Sequence, residues 1–289
     1  MAEHKVILAG SELTESSSVA ISGSTAAAGK PLSNLLTQFP QEVWRSSNLT
    51  TVYAEVDLGS AIAVYGAWLG YTNFRPPNST QWRVRAATSQ ANLTAAPDYD
   101  SGTIYALAQS GYASTYATDW PYGTHAWLYS GGLTWTALAT KRWWRIDLTD
   151  ATHPDGYFQA GALRLLGAGW SPAIGPAYGA RVPSEALTAS WRRSHGGILF
   201  PQIVATPASE EFEWQNLTFD EAIALRALMR SRRSYKDLVA VWLNNEGNAE
   251  ESVTHGFVRD WSGVQARAVS NEGVIYRASV TLETAGATS

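Results

Sequence analysis

The chain has 289 residues and 31.3 kDa, carries a net charge of −4 and contains no cysteine. It is 45% hydrophobic and only 16% charged, with 13 Trp and 13 Tyr, against roughly 25% charged residues in an average soluble chain. These figures exclude global disorder, a disulfide scaffold, a thiolate metal site and a cysteine nucleophile, and the acidic balance lacks the basic footprint of a nucleic-acid binder.

In chain order, Val6-Ile7-Leu8 is too short for the apolar region of a signal peptide. Thr51–Leu58 is a β-rich run expected to end at Gly59, and Ile62–Leu69 is a second, closed by the turn-prone Thr72-Asn73. Gln81–Ala86 alternates, with Trp82, Val84 and Ala86 on one face and Arg83 and Arg85 on the other, the pattern of a half-buried strand. Thr103–Leu107, Trp143–Leu148 and Ala162–Leu166 follow in the same idiom. Short strands separated by Gly, Pro, Asn and Ser predict a β-sandwich or jelly roll over residues 1–170.

Between Ser110 and Leu138 the composition turns to Gly, Ser, Thr, Tyr and Trp. Rings on such a segment give large contact area at little entropic cost, so Tyr112, Tyr116, Trp120, Tyr122 and Trp127 are the candidate ligand-binding residues. Trp170–Gly179 breaks every periodicity with Pro and Gly, and 171–195 is expected as a linker. Beyond it, Glu211–Trp214 alternates as a strand, and Thr218-Phe-Asp-Glu221 is a capping box that opens a helix. Ala222, Ile223, Leu225, Leu228 and Met229 form its apolar stripe, and Arg226, Arg230, Arg232 and Arg233 complement its C-terminal dipole. Leu238–Leu243, His255–Val258 and Val274–Leu282 read as further strands, so 196–289 is expected as a smaller α+β domain with one helix. No apolar run approaches the roughly 18 residues of a membrane span, and no membrane insertion is expected.

Catalytic patterns are missing. There is no G-x-S-x-G elbow and no phosphate-cradling glycine loop, and Ser194-His195-Gly196-Gly197 reads as a turn. His4, His125, His153, His195 and His255 are dispersed without metal-ligand spacing. Asp98 and Asp100 flank Tyr99 and could offer oxygens to Ca²⁺, yet two carboxylates make a weak site and a solvated strand edge is the expectation. Asp119, Asp147 and Asp155 are carboxylates of the type glycoside hydrolysis needs in pairs, without any spacing that pairs them. No catalytic residue, metal or cofactor is expected, and binding or assembly outranks catalysis.

Two stretches carry a resemblance. Val43-Trp-Arg-Ser46, Glu55-Val-Asp-Leu-Gly59, Tyr71-Thr-Asn73 and Arg83-Val-Arg85, in that order, resemble the start of discoidin-type (coagulation factor 5/8 C-type) β-sandwiches. Tyr99-Asp-Ser-Gly102, Trp143–Leu148, Pro154-Asp-Gly-Tyr157 and the strand at 161–165 are similar in spacing to a related group of bacteriophage tail proteins, and Gly196–Glu283 resembles domains of the distal tail of long-tailed phages. The resemblance implies a mainly β fold, a discoidin-like jelly-roll sandwich followed by the smaller α+β domain. It implies a structural component of a phage tail tip or baseplate, made in the host cytoplasm and carried in the virion, with other tail subunits and further copies of itself as partners. The alternative is a carbohydrate-binding module that recognises host-surface glycans through the aromatic segment. Discoidin domains of secreted animal proteins usually carry a disulfide joining their ends, which a chain without cysteine cannot make, so the lipid- and calcium-binding roles of those relatives do not carry over.

The composition suits the assembly reading. Of 21 basic residues only Lys5, Lys30, Lys141 and Lys236 are lysine. Arginine's planar fork stacks on rings and grips carboxylates with two hydrogen bonds, and together with Trp and Tyr it is enriched where proteins bury contacts.

Overall fold

The computed structural model describes residues 5–10, 12–74, 80–105, 124–129, 137–175, 187–193, 199–205, 209–232, 236–243, 252–269 and 273–284. The chain divides into two units, Met1–Ser171 with Val239–Thr254, and Pro172–Leu238 with His255–Ser289.

The first unit begins with β1 (Lys5–Gly10), β2 (Ala20–Gly23), β3 (Trp44–Arg45) and the long β4 (Val52–Val64). Next come β5 (Gly66–Thr72), β6 (Gln81–Ala87), β7 (Tyr99–Asp100), β8 (Ile104–Tyr105) and β9 (Thr124–Tyr129). It continues with β10 (Ala139–Thr149), β11 (Gln159–Ala160) and β12 (Ala162–Leu166). One antiparallel sheet has the order β2-β4-β10-β6-β7, with β8 also on β6; a second has the order β12-β5-β9, and β11 pairs with β3. Period-two alternation decides what lies between the sheets. Val52, Ala54 and Val56 of β4, Trp82, Val84 and Ala86 of β6, and Trp144, Ile146 and Leu148 of β10 point inward. They share one core with Ala67 and Leu69 of β5 and Leu163 and Leu165 of β12. Two antiparallel sheets with a common apolar interior make a β-sandwich. Ile7, Ala9, Trp68, Ala162, Leu166 and Val239 form a second cluster in this unit.

Gly59 does not end its strand. β4 runs through it to Val64, because three extra residues bulge out between Trp143↔Asp57 and Lys141↔Ile62 of the β10 register. Gly59 takes φ +78°, a conformation that favours glycine, and its N–H donates to Asp57 Oδ1 at 2.8 Å. The Asp57-Leu-Gly59 triplet therefore marks a bulge.

In the second unit β13 (Leu187–Arg193) pairs antiparallel with β14 (Leu199–Ala205), so part of the 171–195 stretch expected as a linker is strand. β15 (Ser209–Leu217) precedes the helix α1 (Phe219–Arg232). The chain passes into the first unit within β16 (Asp237–Leu243), at Val239, and leaves it within β17 (Ser252–Trp261), after Thr254; β18 (Gln265–Val269) and β19 (Gly273–Thr284) follow, and β19 pairs with β15, β17 and β18. The capping box forms as read: Thr218 N–H and Oγ1 donate to Glu221 Oε2 at 2.7 and 2.9 Å, and Glu221 N–H donates to Thr218 Oγ1 at 3.3 Å. Burial pushes the Glu221 carboxyl up, but the Ala173 and Thr218 N–H groups and the Thr218 hydroxyl outweigh it and hold the carboxyl below its ordinary value. The buried stripe is Ala222, Leu225, Met229 and Arg232. Ile223, one residue and about 100° round the helix from Ala222, lies off it and faces outward.

Trp144 is wholly buried at the centre of the sandwich core. Trp144→Ala should cost about 3–5 kcal/mol of unfolding free energy through the cavity it leaves, read from urea unfolding followed by far-UV dichroism. A cost under about 1 kcal/mol would contradict this account of the core.

Candidate functional site

Two polar assemblies stand out on the sandwich. The first is the outer face of the β4-β10-β6 sheet, where alternation turns the charged residues outward. Arg145 Nη1 donates to Glu55 Oε1 at 2.9 Å and Nε to Asp147 Oδ1 at 2.8 Å, while its guanidinium lies 3.6 Å over the Tyr53 ring. Arg85 Nη2 reaches Asp147 Oδ2 at 2.6 Å, Arg142 Nε reaches Asp57 Oδ1 at 2.6 Å, and Lys141 Nζ lies 3.0 Å from Asp98 Oδ2. Arg83 pairs with Asp100. Every charge in this stripe is met by its opposite. The same geometry answers the Ca²⁺ reading, since Asp98 is engaged by Lys141 and Thr88, and Asp100 by Arg83 and the Gly102 N–H. Among the described residues no group of three His, Asp or Glu side chains gathers as a metal would require.

The second assembly lies where β5 ends. Tyr71 adopts φ +57°, rare for a residue with a side chain, and the β5–β9 register shifts between Leu69 and Thr72. The bulge delivers Asn73 to the 153–159 segment, where its N–H donates to Gln159 O at 3.3 Å. The Asn73 carboxamide then ties three groups: Nδ2 donates to Asp155 Oδ2 at 2.8 Å and Tyr157 O at 3.1 Å, and Oδ1 accepts the Gln159 N–H at 2.8 Å. His153, buried below, sits 2.8 Å through Nε2 from Asn73 O and 3.3 Å through Nδ1 from the Asp155 N–H. A carbonyl only accepts and an N–H only donates, so the ring is assigned as the Nε2–H tautomer. Phe158 packs edge-on against Phe74 at 6.0 Å and against His153 at 5.6 Å, an apolar floor under the polar layer.

The β3–β11 pair supplies the rest. Gln159 stands opposite Arg45 and Ala160 opposite Trp44, so alternation buries Trp44 and Ala160 and turns Arg45 and Gln159 outward. Arg45 Nη2 donates to Gln159 Oε1 at 2.8 Å, and its guanidinium lies 4.1 Å over the Tyr157 ring. Ser46 fastens this strand to the floor: its N–H donates to Phe158 O at 2.9 Å and its Oγ accepts the Phe158 N–H at 2.9 Å. The result is a half-exposed cluster in which positions are fixed but valences are open. Asp155 Oδ1, Tyr157 Oη, Gln159 Nε2 and Arg45 Nη1 have no partner among the described residues.

Of the residues expected from sequence, Tyr112, Tyr116, Trp120 and Tyr122 lie outside the described residues, as do Asp119 and Ser194-His195-Gly196-Gly197. Trp127 is on β9 with Trp68 as its register partner. Thr124, where the aromatic segment re-enters described structure, stands opposite Thr72, the residue before Asn73. Asp147 belongs to the neutralised stripe and Asp155 to the open cluster. Sequence reasoning missed Arg45, Asn73, Tyr157 and Gln159 as site residues. In the second unit His255 Nε2 lies 2.7 Å from Asp237 Oδ2, but with the residues 3% and 0% exposed the pair is closed to any substrate.

No protein-family model matches the sequence, and no curated protein matches it. Solved structures do resemble it. The family 32 carbohydrate-binding module of C. perfringens NanJ, solved with galactose, shares 10% identity at a TM-score of 0.36, over 55% of this chain and 98% of that one. The lectin domain of lectinolysin, solved with Lewis B antigen, shares 12% identity at a TM-score of 0.34, over 54% of this chain and 95% of that one. A family 29 fucosidase of Ruminococcus gnavus shares 8% identity at a TM-score of 0.37, over 54% of this chain and 26% of that one. The mainly β sandwich expected from sequence is the architecture of the first unit.

The stripe has a pH signature. Hydrogen bonds from Arg142, Lys141 and Arg83 hold the carboxyls of Asp57, Asp98 and Asp100 respectively below the ordinary range. A carboxyl depressed by folding contributes stability that is complete above its unfolded value near 3.9 and is lost as pH falls through the folded value. At low ionic strength the urea midpoint of the protein should therefore fall below about pH 4, and Asp57→Asn should make that fall shallower. Parallel acid limbs for the two proteins would show that Asp57 takes no part.

Proposed function

We propose that the sandwich is a non-catalytic glycan-binding module whose site is the cluster of Asn73, Asp155, Tyr157 and Gln159. One observation carries this reading: the cluster combines a half-exposed ring with open donors and an open acceptor, the Asn73 carboxamide holding the Asp155 carboxylate and the backbone of Tyr157 and Gln159, and Arg45 holding the Tyr157 ring and the Gln159 side chain. Sugar hydroxyls both give and take hydrogen bonds and sugar rings present apolar C–H faces, so a fixed set of amide, carboxylate, phenol and aromatic face is what such a ligand requires. Preorganisation supports affinity, because little ordering remains to be done on binding. The cluster holds one open carboxylate, Asp155, where glycoside hydrolysis uses two, and this favours recognition over cleavage.

Glycan-array screening followed by calorimetry tests the reading, with galactose and Lewis B antigen as first ligands. Asp155→Ala and Tyr157→Ala should each weaken binding by about tenfold or more, equivalent to roughly 1.4 kcal/mol, while Asp57→Asn in the stripe leaves it unchanged. Absence of binding to every glycan at millimolar concentration would end this reading.

A second reading concerns the second unit as an assembly contact, such as a phage tail-tip subunit makes within the virion. It is favoured by Phe219, Ile223 and Val274, which are 59%, 50% and 52% exposed. Phe219 and Ile223 are four residues apart on one helix face, and the Phe219 ring meets Tyr276, two positions from Val274 on β19, at 5.8 Å. Contiguous exposed apolar surface of this kind marks interaction sites. Light scattering should find an oligomer that Phe219→Asp reduces to a monomer with unchanged far-UV dichroism. A wild-type chain that stays monomeric at hundreds of micromolar would remove self-association.

A further inference from the structure

We infer that the glycan taken by this site is acidic, and that Arg45 forms its oxyanion subsite. The inference rests on the glycan-binding reading and adds to it the charge class of the ligand.

The sandwich neutralises its cations with care. Arg83, Arg85, Lys141, Arg142 and Arg145 each hold a carboxylate, and the buried Arg164 donates to the carbonyls of Leu35, Leu163 and Thr37. Arg45 breaks that pattern, since among the described residues it forms no ion pair. Arg45 is nonetheless held in place. Its guanidinium is stacked on Tyr157 and one arm is anchored on the neutral Gln159 carbonyl oxygen, so the orientation is set while the charge is left unmet. Its Nε is a buried donor without an acceptor, and Nη1 is open. A guanidinium fixed by stacking and by a neutral partner loses little freedom on meeting a planar oxyanion, and hydrogen bonds between two ionised groups are about twice as strong as neutral ones.

The backbone of Arg45 is fixed as well: its N–H donates to Lys30 O at 3.3 Å and its O accepts the Ala27 N–H at 2.9 Å, in a turn that closes through Lys30 N–H to Ala27 O at 3.0 Å with Gly29 at φ +71°. Among the described residues no carboxylate quenches Arg45: Glu42 is exposed and makes no ion pair, and Asp155 turns Oδ2 to the Asn73 amide. Across the cluster the charge is thus polarised, with an anion subsite at Arg45 and a hydroxyl acceptor at Asp155. The shared ligand chemistry is a sugar bearing an oxyanion, either the carboxylate of a uronic or sialic-type residue or a sulfate ester.

The test compares neutral, carboxylated and sulfated oligosaccharides of matched backbone by calorimetry on the full chain at about 20 and 300 mM salt. Acidic over neutral affinity should be about tenfold or more at low salt and shrink at high salt as screening grows. Arg45→Gln should bring the acidic-to-neutral ratio to about one, with its thermal midpoint reporting that the variant folds. The arm that binds more tightly identifies carboxylate or sulfate as the source of the charge. Equal affinity for neutral and acidic ligands, or a preference that survives Arg45→Gln, overturns the inference while leaving the glycan-binding reading standing. Failure of every arm overturns both.

Discussion

A single carboxamide holds the candidate site together. Asn73 stands at the end of β5 and reaches, through one side chain, the Asp155 carboxylate, the Tyr157 carbonyl and the Gln159 N–H. Its own carbonyl oxygen takes the His153 ring. With both amide hydrogens and the amide oxygen engaged, Asn73 cannot rotate without breaking several bonds at once, and a buried polar group left unmatched costs about 1–3 kcal/mol. The positive φ of Tyr71 is where the backbone absorbs the bend that puts Asn73 there, in keeping with the tendency of strained residues to gather at functional sites. The Asp155 carboxylate and the backbone that carries Tyr157 and Gln159 depend on that one junction, while Arg45 holds the Tyr157 ring and the Gln159 side chain.

The contrast between the two polar surfaces is what makes the end cluster the candidate site. Both are rich in Arg and Asp. In the stripe on β4, β10 and β6, bidentate pairing and the Tyr53 stack satisfy each group, so a ligand would have to break existing ion pairs to bind. In the end cluster the internal hydrogen bonds are spent on holding positions, and the outward valences stay free. A surface that is rigid and unsatisfied gains more from a ligand than one that is rigid and satisfied.

Much of the architecture was legible in the sequence, and the reason is local periodicity. Gln81–Ala86 folds as its alternation says, and the capping box at Thr218–Glu221 forms because its partners are three residues apart. Two local readings failed for local reasons. Gly59 looked like a strand end and is a bulge, and Ile223 looked like part of a buried stripe but lies off it. The site was far less legible. Arg45, Asn73, Asp155, Tyr157 and Gln159 are brought together by the pairing of β3 with β11 and by the Asn73 clasp, across more than a hundred positions of sequence. Their composition is ordinary, whereas the rings of 110–138 are conspicuous, and so Tyr112, Tyr116, Trp120, Tyr122 and Trp127 drew attention. The Tyr71-Thr-Asn73 and Pro154-Asp-Gly-Tyr157 motifs were noticed as marks of a fold; their meeting in space is what gives them a chemical role.

The two proposed roles belong to different units. The central claim concerns the end of the sandwich alone, and side-chain nuclear magnetic resonance reads it directly. On titration with the best-bound glycan, the carboxamide signals of Asn73 and Gln159 and the Nε–H of Arg45 should move together and saturate with one dissociation constant, while the Nε–H signals of Arg142 and Arg145 stay fixed. Saturable binding that moves the stripe or other residues and leaves Asn73, Gln159 and Arg45 untouched would contradict the account.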